Sequence, residues 1–173
     1  MLNIGDVVVY GSRGLCEIKD ILVPEFAAKG SEKLYYMLSS SENKNGMLYV
    51  AVEGSDEKFH SAMSDEQARG LVDSIETMDE LDFPDGKRGE PYITAVINKN
   101  QAREMMGLVK TLYMAKVSRI KAGKTVTSMT DRYLNTAERL LFTELAYSTG
   151  YGFDDVRQRV YTSLEKASGE YGD

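Results

Sequence analysis

The chain of 173 residues is long enough for one medium domain or two small ones, and its 42% hydrophobic content excludes a wholly disordered protein. Its net charge of −6 hides an uneven distribution, since residues 1–86 hold 7 Lys or Arg against 17 Asp or Glu, whereas residues 87–173 hold 14 against 10. The basic half is therefore the candidate for contact with a polyanion, although solvated basic helix faces explain the same charge equally well.

Four short segments in the first 60 residues are rich in β-branched and aromatic residues and predict strands, namely residues 4–10, 15–23, 33–38 and 47–52. Gly11 and Gly14 fit a tight reversal after the first strand, and Asn45-Gly46 is a strong turn dipeptide before the fourth. Short strands at this spacing predict a small curled sheet or barrel over residues 1–60.

After residue 60 the spacing of apolar residues becomes helical. Ser64 and Gln67 form a capping-box pattern that opens a helix to about residue 77, and the Pro- and Gly-containing residues 78–91 predict a linker and a domain boundary. Asn100 is predicted to cap a long helix to about residue 121, and Ser128 or Thr130 to cap the next. The predicted fold class is thus α+β, with a small β-barrel domain over residues 1–60 and an all-α helical bundle domain over residues 61–173.

Gly150 and Gly152 are predicted to end the preceding helix, and the last predicted helix follows them. Asp154 and Asp155 occupy its first turn, where carboxylates interact favourably with the helix dipole. Its inward stripe is predicted to be Val156, Val160 and Leu164.

The sequence offers little for catalysis or metal binding. Cys16 is the only cysteine and His60 the only histidine, so neither a disulfide nor a Cys/His metal site is expected. We expect no enzyme activity, no cofactor and no small-molecule substrate; a small enzyme that uses Cys16 or His60 is the alternative. No apolar run reaches the roughly 20 residues that cross a bilayer, and no signal peptide is recognisable at the N-terminus. A cytoplasmic protein without membrane contact is therefore expected.

Four segments resemble the CarD/CdnL family of bacterial transcription regulators and the related module of transcription-repair coupling factors. The opening IGDVVVYGSRGLCEIKDI matches the family's first strands, and KLYYML with GMLYVAVE matches its next two. The segment LVKTLYMAKVSRIKAGKTVTSMTDRYLNTAERLLFTELAYSTG resembles the helical domain of Gram-positive members. Together they cover nearly the whole chain in the family's order.

The resemblance implies a Tudor-like β domain that binds the β subunit of RNA polymerase by adding a strand to it, and a helical domain that touches promoter DNA. Together these would stabilise the open promoter complex. By position, the polymerase-binding strand would be the fourth. Its predicted contact residues are Met47, Leu48, Tyr49, Val50 and Ala51, of which either alternate set could instead line the barrel.

The DNA side departs from the family pattern, because family members carry a wedge tryptophan and this chain has none. Phe83 is the only aromatic residue at that point and could act as a smaller wedge or pack into the core. Phosphate contacts are predicted for basic residues of the second half: Lys87, Arg88, Lys99, Arg103, Lys110, Lys116, Arg119, Lys121 and Lys124. The alternative function is a protein-interaction module that binds polymerase or another protein without touching DNA.

Overall fold

The computed structural model describes residues 1–169, apart from the side chain of Lys44, and the chain divides into two compact units, Met1–Ala62 and Met63–Asp173. The predicted α+β class is confirmed, since an antiparallel five-stranded sheet is followed by five α-helices in the described part. The predicted domain boundary after residue 60 lies two residues before this division. The last four residues of the predicted helical domain lie outside the described residues.

The N-terminal unit is built on one sheet with the strand order β4-β3-β2-β1-β5, in which every neighbouring pair is antiparallel. The four predicted strands all form, and β5 has only two residues, too few for a sequence pattern. The strands are β1 (Val7–Val9), β2 (Leu15–Leu22), β3 (Tyr35–Ser40), β4 (Asn43–Ala51) and β5 (His60–Ser61). The outer strands of this sheet are therefore β4 and β5.

The predicted turn at Asn45-Gly46 is wrong, because both residues lie within β4. The reversal occurs at Ser41 and Glu42, where the Ser40 hydroxyl accepts the Glu42 amide at 3.1 Å and donates to the Arg13 carbonyl at 2.8 Å. Register then shifts between the pairs Ser39↔Met47 and Ser40↔Asn43, which leaves residues 44–46 as a bulge. Side-chain hydrogen bonds at the reversal thus outweigh the local turn preference.

One apolar cluster forms the core of the N-terminal unit. Its buried members come from alternate positions of β1 to β4, as expected for a sheet with one covered face. They are Val8, Cys16, Ile18, Tyr36, Leu38 and Val50. The ring of Phe59 packs edge-on against Tyr10 and Tyr36 beside this cluster.

The C-terminal unit contains five α-helices up to residue 169 and a core of its own. The helices are α1 (Asp65–Asp73), α2 (Glu90–Lys99), α3 (Ala102–Lys121), α4 (Ser128–Thr149) and α5 (Phe153–Ala167). The predicted capping box is confirmed, since Ser64 accepts the Gln67 amide and the Gln67 side chain accepts the Ser64 amide. The predicted apolar stripe of α5 is buried as well. Within the described residues, no helix is long and apolar enough to span a membrane.

The start of this unit differs from two predictions. Residues 78–91, predicted as a linker and domain boundary, pack against the helical core through Met78, Leu81 and Phe83, α2 already begins at Glu90, and the chain divides before Met63 instead. Asn100 does not cap the long helix but ends α2, in a left-handed conformation with φ 49°. Asparagine tolerates this conformation better than most residues, which makes it suitable for a helix C-terminus.

The N-terminus of α4 is also capped one residue earlier than predicted. The Thr127 hydroxyl accepts the Thr130 amide at 3.2 Å, so Thr127 is the cap, and neither Ser128 nor Thr130 has that role. Gly150 ends α4 in the left-handed conformation, as a glycine after the last helical turn commonly does. Gly152 then precedes α5, and Asp154 and Asp155 lie in its first turn as predicted.

Candidate functional site

The strand predicted to bind a partner is the outer strand β4, which pairs only with β3 in the described part of the chain. An outer strand presents a row of backbone amide and carbonyl groups on its open side, and such a row is a template for a further strand. The hairpin between β3 and β4 holds this edge in a fixed register. The position of β4 therefore meets the first geometric requirement for strand addition.

The hydrogen-bond alternation identifies which residues of β4 present their backbone groups to the open side. The Val52 amide donates to the Leu34 carbonyl at 2.9 Å, so this position is a hydrogen-bonded pair. In an antiparallel ladder such pairs alternate, and Val50 and Leu48 are therefore also turned toward β3. The amide and carbonyl groups of the intervening residues, Met47, Tyr49 and Ala51, face the open edge.

The side chains of β4 divide in the same alternation. Val50 is buried in the core of the sheet, and Leu48 packs partly against that core. Met47 and Tyr49 lie on the opposite face, where they are 46% and 41% exposed. Of the five predicted contact residues, two thus stabilise the sheet, and three supply the open edge and its outer face.

Phe83, the candidate DNA wedge, is half-buried and packs against the helical core. Its ring lies beside Gly89, where an added Cβ would come within 3.0 Å of Phe83 Cδ2 and 2.1 Å of the Pro84 carbonyl oxygen. The absence of a side chain at Gly89 therefore allows the segment to fold back at this point. This packing favours the core interpretation of Phe83 over the wedge.

Lys110 is not available to phosphate, which corrects its prediction as a DNA contact. It is only 6% exposed, and its ammonium donates to the carbonyls of Ile75 at 2.8 Å, Glu76 at 3.2 Å and Met78 at 2.5 Å. These carbonyls follow the end of α1, where a positive charge interacts favourably with the helix dipole. In the sequence Lys110 is one of several basic residues of the second half, but in the structure it lies on the buried side of α3.

Some of the remaining predicted basic residues already form contacts within the protein, and others do not have such a contact described. Lys116 forms an ion pair with Asp131 at 3.0 Å, and Arg119 donates from Nε to the Thr125 carbonyl at 2.8 Å. The Lys121 ammonium lies 3.5 Å from the Ser168 carbonyl oxygen. The others are exposed to solvent: Lys87, Arg88, Lys99, Arg103 and Lys124.

These exposed cations fall into separate groups rather than one continuous face. Lys87 and Arg88 precede α2, whereas Lys99 and Arg103 flank its far end. Because α2 has 10 residues, its two ends are about 15 Å apart.

A polar cluster that the sequence did not reveal joins α2 to α4. Glu90 Oε1 accepts hydrogen bonds from Tyr133 Oη and Arg132 Nη2, both at 2.7 Å, and the Arg132 guanidinium lies over the Tyr133 ring. The hydrogen bond from Tyr133, together with the charges of Arg132 and Lys87, holds the pKa of Glu90 below its usual range. The cluster fixes the start of α2, and with it the position of Lys87, against α4.

Cys16 and His60, the residues on which the enzyme alternative depends, lie on different strands, β2 and β5. Cys16 is 1% exposed in the sheet core, and burial raises the pKa of its thiol to about 11. A thiol so rarely ionised at neutral pH is a poor nucleophile. His60 pairs with Val9 in β5.

Comparison with known protein families gives a match in the N-terminal unit. Residues 2–61 match the model of the CarD-like/TRCF RID domain, a domain that interacts with RNA polymerase. The match covers all five strands, including the open edge of β4. No curated protein matches the chain. The matched domain supports a transcription-related role that involves interaction with RNA polymerase.

Proposed function

We propose that this chain, whose residues 2–61 match the CarD-like/TRCF RID domain, is a non-enzymatic regulator that binds the β subunit of bacterial RNA polymerase. The contact is made by adding a strand of the polymerase to the open edge of β4. The observation that carries this proposal is the outer position of β4 in the matched domain, with the backbone groups of Met47, Tyr49 and Ala51 turned outward. Backbone hydrogen bonds then supply affinity, and flanking side chains supply specificity.

The helical unit supplies weak, sequence-independent contact with promoter DNA in this proposal. The exposed residues Lys87, Arg88, Lys99, Arg103 and Lys124 support it, since exposed cations release counterions from phosphate. Binding of the β domain to polymerase raises the local concentration of these cations at the promoter, so a weak contact suffices. A contact made better in the open than in the closed complex shifts the melting equilibrium toward the open state.

The edge contact is tested with the full chain and the purified β subunit. Ala51→Pro removes an outward amide and places a ring on the open edge, while the ladder to β3 keeps its hydrogen bonds. We expect its affinity for the β subunit to fall roughly tenfold or more. Ala51→Val, which keeps the amide, serves as the matched control. Equal affinities of the two variants, both folded by circular dichroism, would mean that β4 is not the binding edge.

DNA contact is tested by the salt dependence of binding to a duplex. The double variant Lys87→Glu, Arg88→Glu should weaken binding and reduce the slope of log affinity against log salt by about one for each phosphate that the protein no longer neutralises. The double variant Lys29→Glu, Lys58→Glu makes the same charge change on exposed residues of the N-terminal unit. If both variants weaken binding equally, only net charge matters and the assigned contact is wrong.

The alternative is a protein-interaction module without useful DNA contact, which the acidic net charge favours. The two functions differ in the lifetime of promoter open complexes formed with polymerase. Under the main proposal, the wild-type chain lengthens this lifetime and the Lys87→Glu, Arg88→Glu variant does not, although both bind polymerase. Under the alternative, both proteins have the same effect.

A further inference from the structure

An exposed aromatic patch lies on the outer face of the sheet beside the open edge of β4. Phe26, in the connection between β2 and β3, is 65% exposed, and Tyr49 of β4 is 41% exposed. Their ring centroids are 5.2 Å apart, and the ring of Phe26 is also 5.7 Å from that of Tyr35. Exposed apolar patches of this kind, next to unused backbone groups, mark interaction surfaces.

The position of Phe26 is fixed by the backbone as well as by the two tyrosines. The Ala27 amide donates to the Pro24 carbonyl at 2.9 Å, which closes a turn with Phe26 near its tip. Both aromatic contacts are edge-to-face, with interplanar angles of 78° and 86°. The ring is thus held over the outer face of β3 and β4 while most of its surface remains in contact with water.

The residues that share this face define the chemistry of what can cover it. In the register of β3 and β4, the neighbours of Tyr49 on the same face are Met37 opposite it, Tyr35 diagonally, and Met47 and Ala51 along the strand. None of them carries a charge. A charged side chain placed here would lose hydration without gaining a partner, whereas an apolar one would gain burial.

We infer that Phe26 and Tyr49 form a binding site for an apolar side chain on the strand that pairs with β4, so that Phe26 is a specificity-determining residue. The inference rests on the proposed edge contact. A strand added to β4 places one of its side chains opposite Tyr49, with the Cβ atoms about 5 Å apart on the face that Phe26 covers. That side chain then packs against the Tyr49 ring and the adjoining exposed surface of Phe26, part of which becomes buried.

The test measures the affinity of the full chain for the purified β subunit. Phe26→Ala should weaken binding roughly tenfold, since truncation of an aromatic anchor at the centre of an interface has an effect of this size. Phe26→Leu, which keeps an apolar side chain, should recover most of the loss. Ile4→Ala is the matched control, because Ile4 is 62% exposed in the same unit but precedes β1, which is separated from β4 by β2 and β3.

The salt dependence separates an apolar contact from a charged one. The ratio of wild-type to Phe26→Ala affinity should be the same at low and high salt, because no charge is removed. Thermal unfolding of each variant checks the fold, and a Phe26→Leu variant with wild-type stability keeps the test valid if Phe26→Ala is destabilised.

The outcomes separate the two proposals. If the wild type binds and Phe26→Ala binds equally well, the role of Phe26 is wrong while the edge contact stands. If Ile4→Ala loses as much affinity as Phe26→Ala, the effect is not specific to the patch and the inference is wrong. If the wild-type chain does not bind the β subunit, the proposed function fails and the inference fails with it.

Discussion

The ammonium nitrogen of Lys110 lies 2.8 Å from the carbonyl oxygen of Ile75, in the interior of the helical unit. Two further carbonyls, of Glu76 and Met78, accept hydrogen bonds from the same nitrogen. One lysine of α3 therefore satisfies the backbone acceptors of the turn that follows α1. The basic residue at the centre of the long helix stabilises the fold instead of binding a partner.

We expect Lys110→Met to lower the free energy of unfolding by about 2–3 kcal/mol, because the substitution leaves buried carbonyls without a donor. Urea denaturation followed by circular dichroism measures the change. Lys99→Met is the control, since Lys99 is exposed and its replacement should change stability by no more than about 0.5 kcal/mol. Equal stabilities of the two variants would contradict a structural role for Lys110. Charge reversal at Lys110 is accordingly a poor test of DNA contact.

Glu138 should give the helical unit a pH-dependent stability. Burial raises the pKa of Glu138 above its ordinary value of 4.5, although the hydrogen bond from Tyr161 Oη at 2.5 Å and the charges of Arg157 and Lys116 oppose the shift. The folded state then holds this proton more strongly than the unfolded chain does. The contribution of Glu138 to stability is therefore complete below pH 4.5 and is lost as the pH rises through the raised pKa.

Glu138→Gln removes this titration and keeps an acceptor for Tyr161. The stability of the variant relative to the wild type should rise with pH from about 4.5 and become constant above the raised pKa. Urea denaturation of both proteins over a pH series measures the difference, in which the titration of all other groups cancels. A difference that does not change with pH would show that the pKa of Glu138 is the same in the folded and unfolded states.

The cap of α4 gives a prediction that distinguishes adjacent hydroxyl residues. Thr127→Ala should lower stability by about 1 kcal/mol, because the Thr130 amide loses its acceptor. Ser128→Ala, one residue later, is the matched control and should have little effect, since Ser128 does not cap the helix. Thermal and urea denaturation measure both. A larger loss of stability for Ser128→Ala than for Thr127→Ala would indicate that Ser128 is the cap and that the helix begins one residue later.

Cys16 should be unreactive in the folded protein. Burial raises the pKa of its thiol from 9.0 to about 11, which lowers the thiolate fraction at neutral pH about 100-fold before steric protection is counted. We expect slow alkylation by iodoacetamide in buffer and fast alkylation in urea, followed by mass spectrometry. Cys16→Ala should bind polymerase like the wild type. Fast alkylation of the native protein would reopen the alternative of a cysteine-dependent enzyme.

Local sequence signals predicted the structure correctly where one short-range interaction decides it. The capping box of Ser64 and Gln67 and the glycine that ends α4 form as predicted, because each involves groups within one helical turn. The first three strands were predicted within a few residues from the local run of β-branched and aromatic residues, whereas β4 begins four residues earlier than predicted and the two-residue β5 was not predicted. There the hydrogen bond from the Ser40 hydroxyl to the carbonyl of Arg13, 27 residues away, stabilises a reversal that the Asn45-Gly46 dipeptide did not indicate.

The candidate site was predictable only in part. Resemblance to a family identified β4, but the sequence could not decide which alternate residues of that strand face outward. That choice depends on the hydrogen-bonded register with β3, and a shift of one residue would invert it. The contribution of Phe26 was missed altogether, because it arises where a connecting turn returns over Tyr49, 23 positions later in the chain.

The sequence by itself determined the α+β class, the periodicity of strands and helices, and the resemblance that directs attention to RNA polymerase, since these are properties of residue order and spacing. The tertiary structure alone decided that Lys110 is buried among carbonyls, that the predicted linker packs against the helical core, and that Met47, Tyr49 and Ala51 form the open edge. The physical reason is that exposure and hydrogen-bond partners depend on groups distant in sequence. A charged or apolar residue acquires its role only when those groups come together.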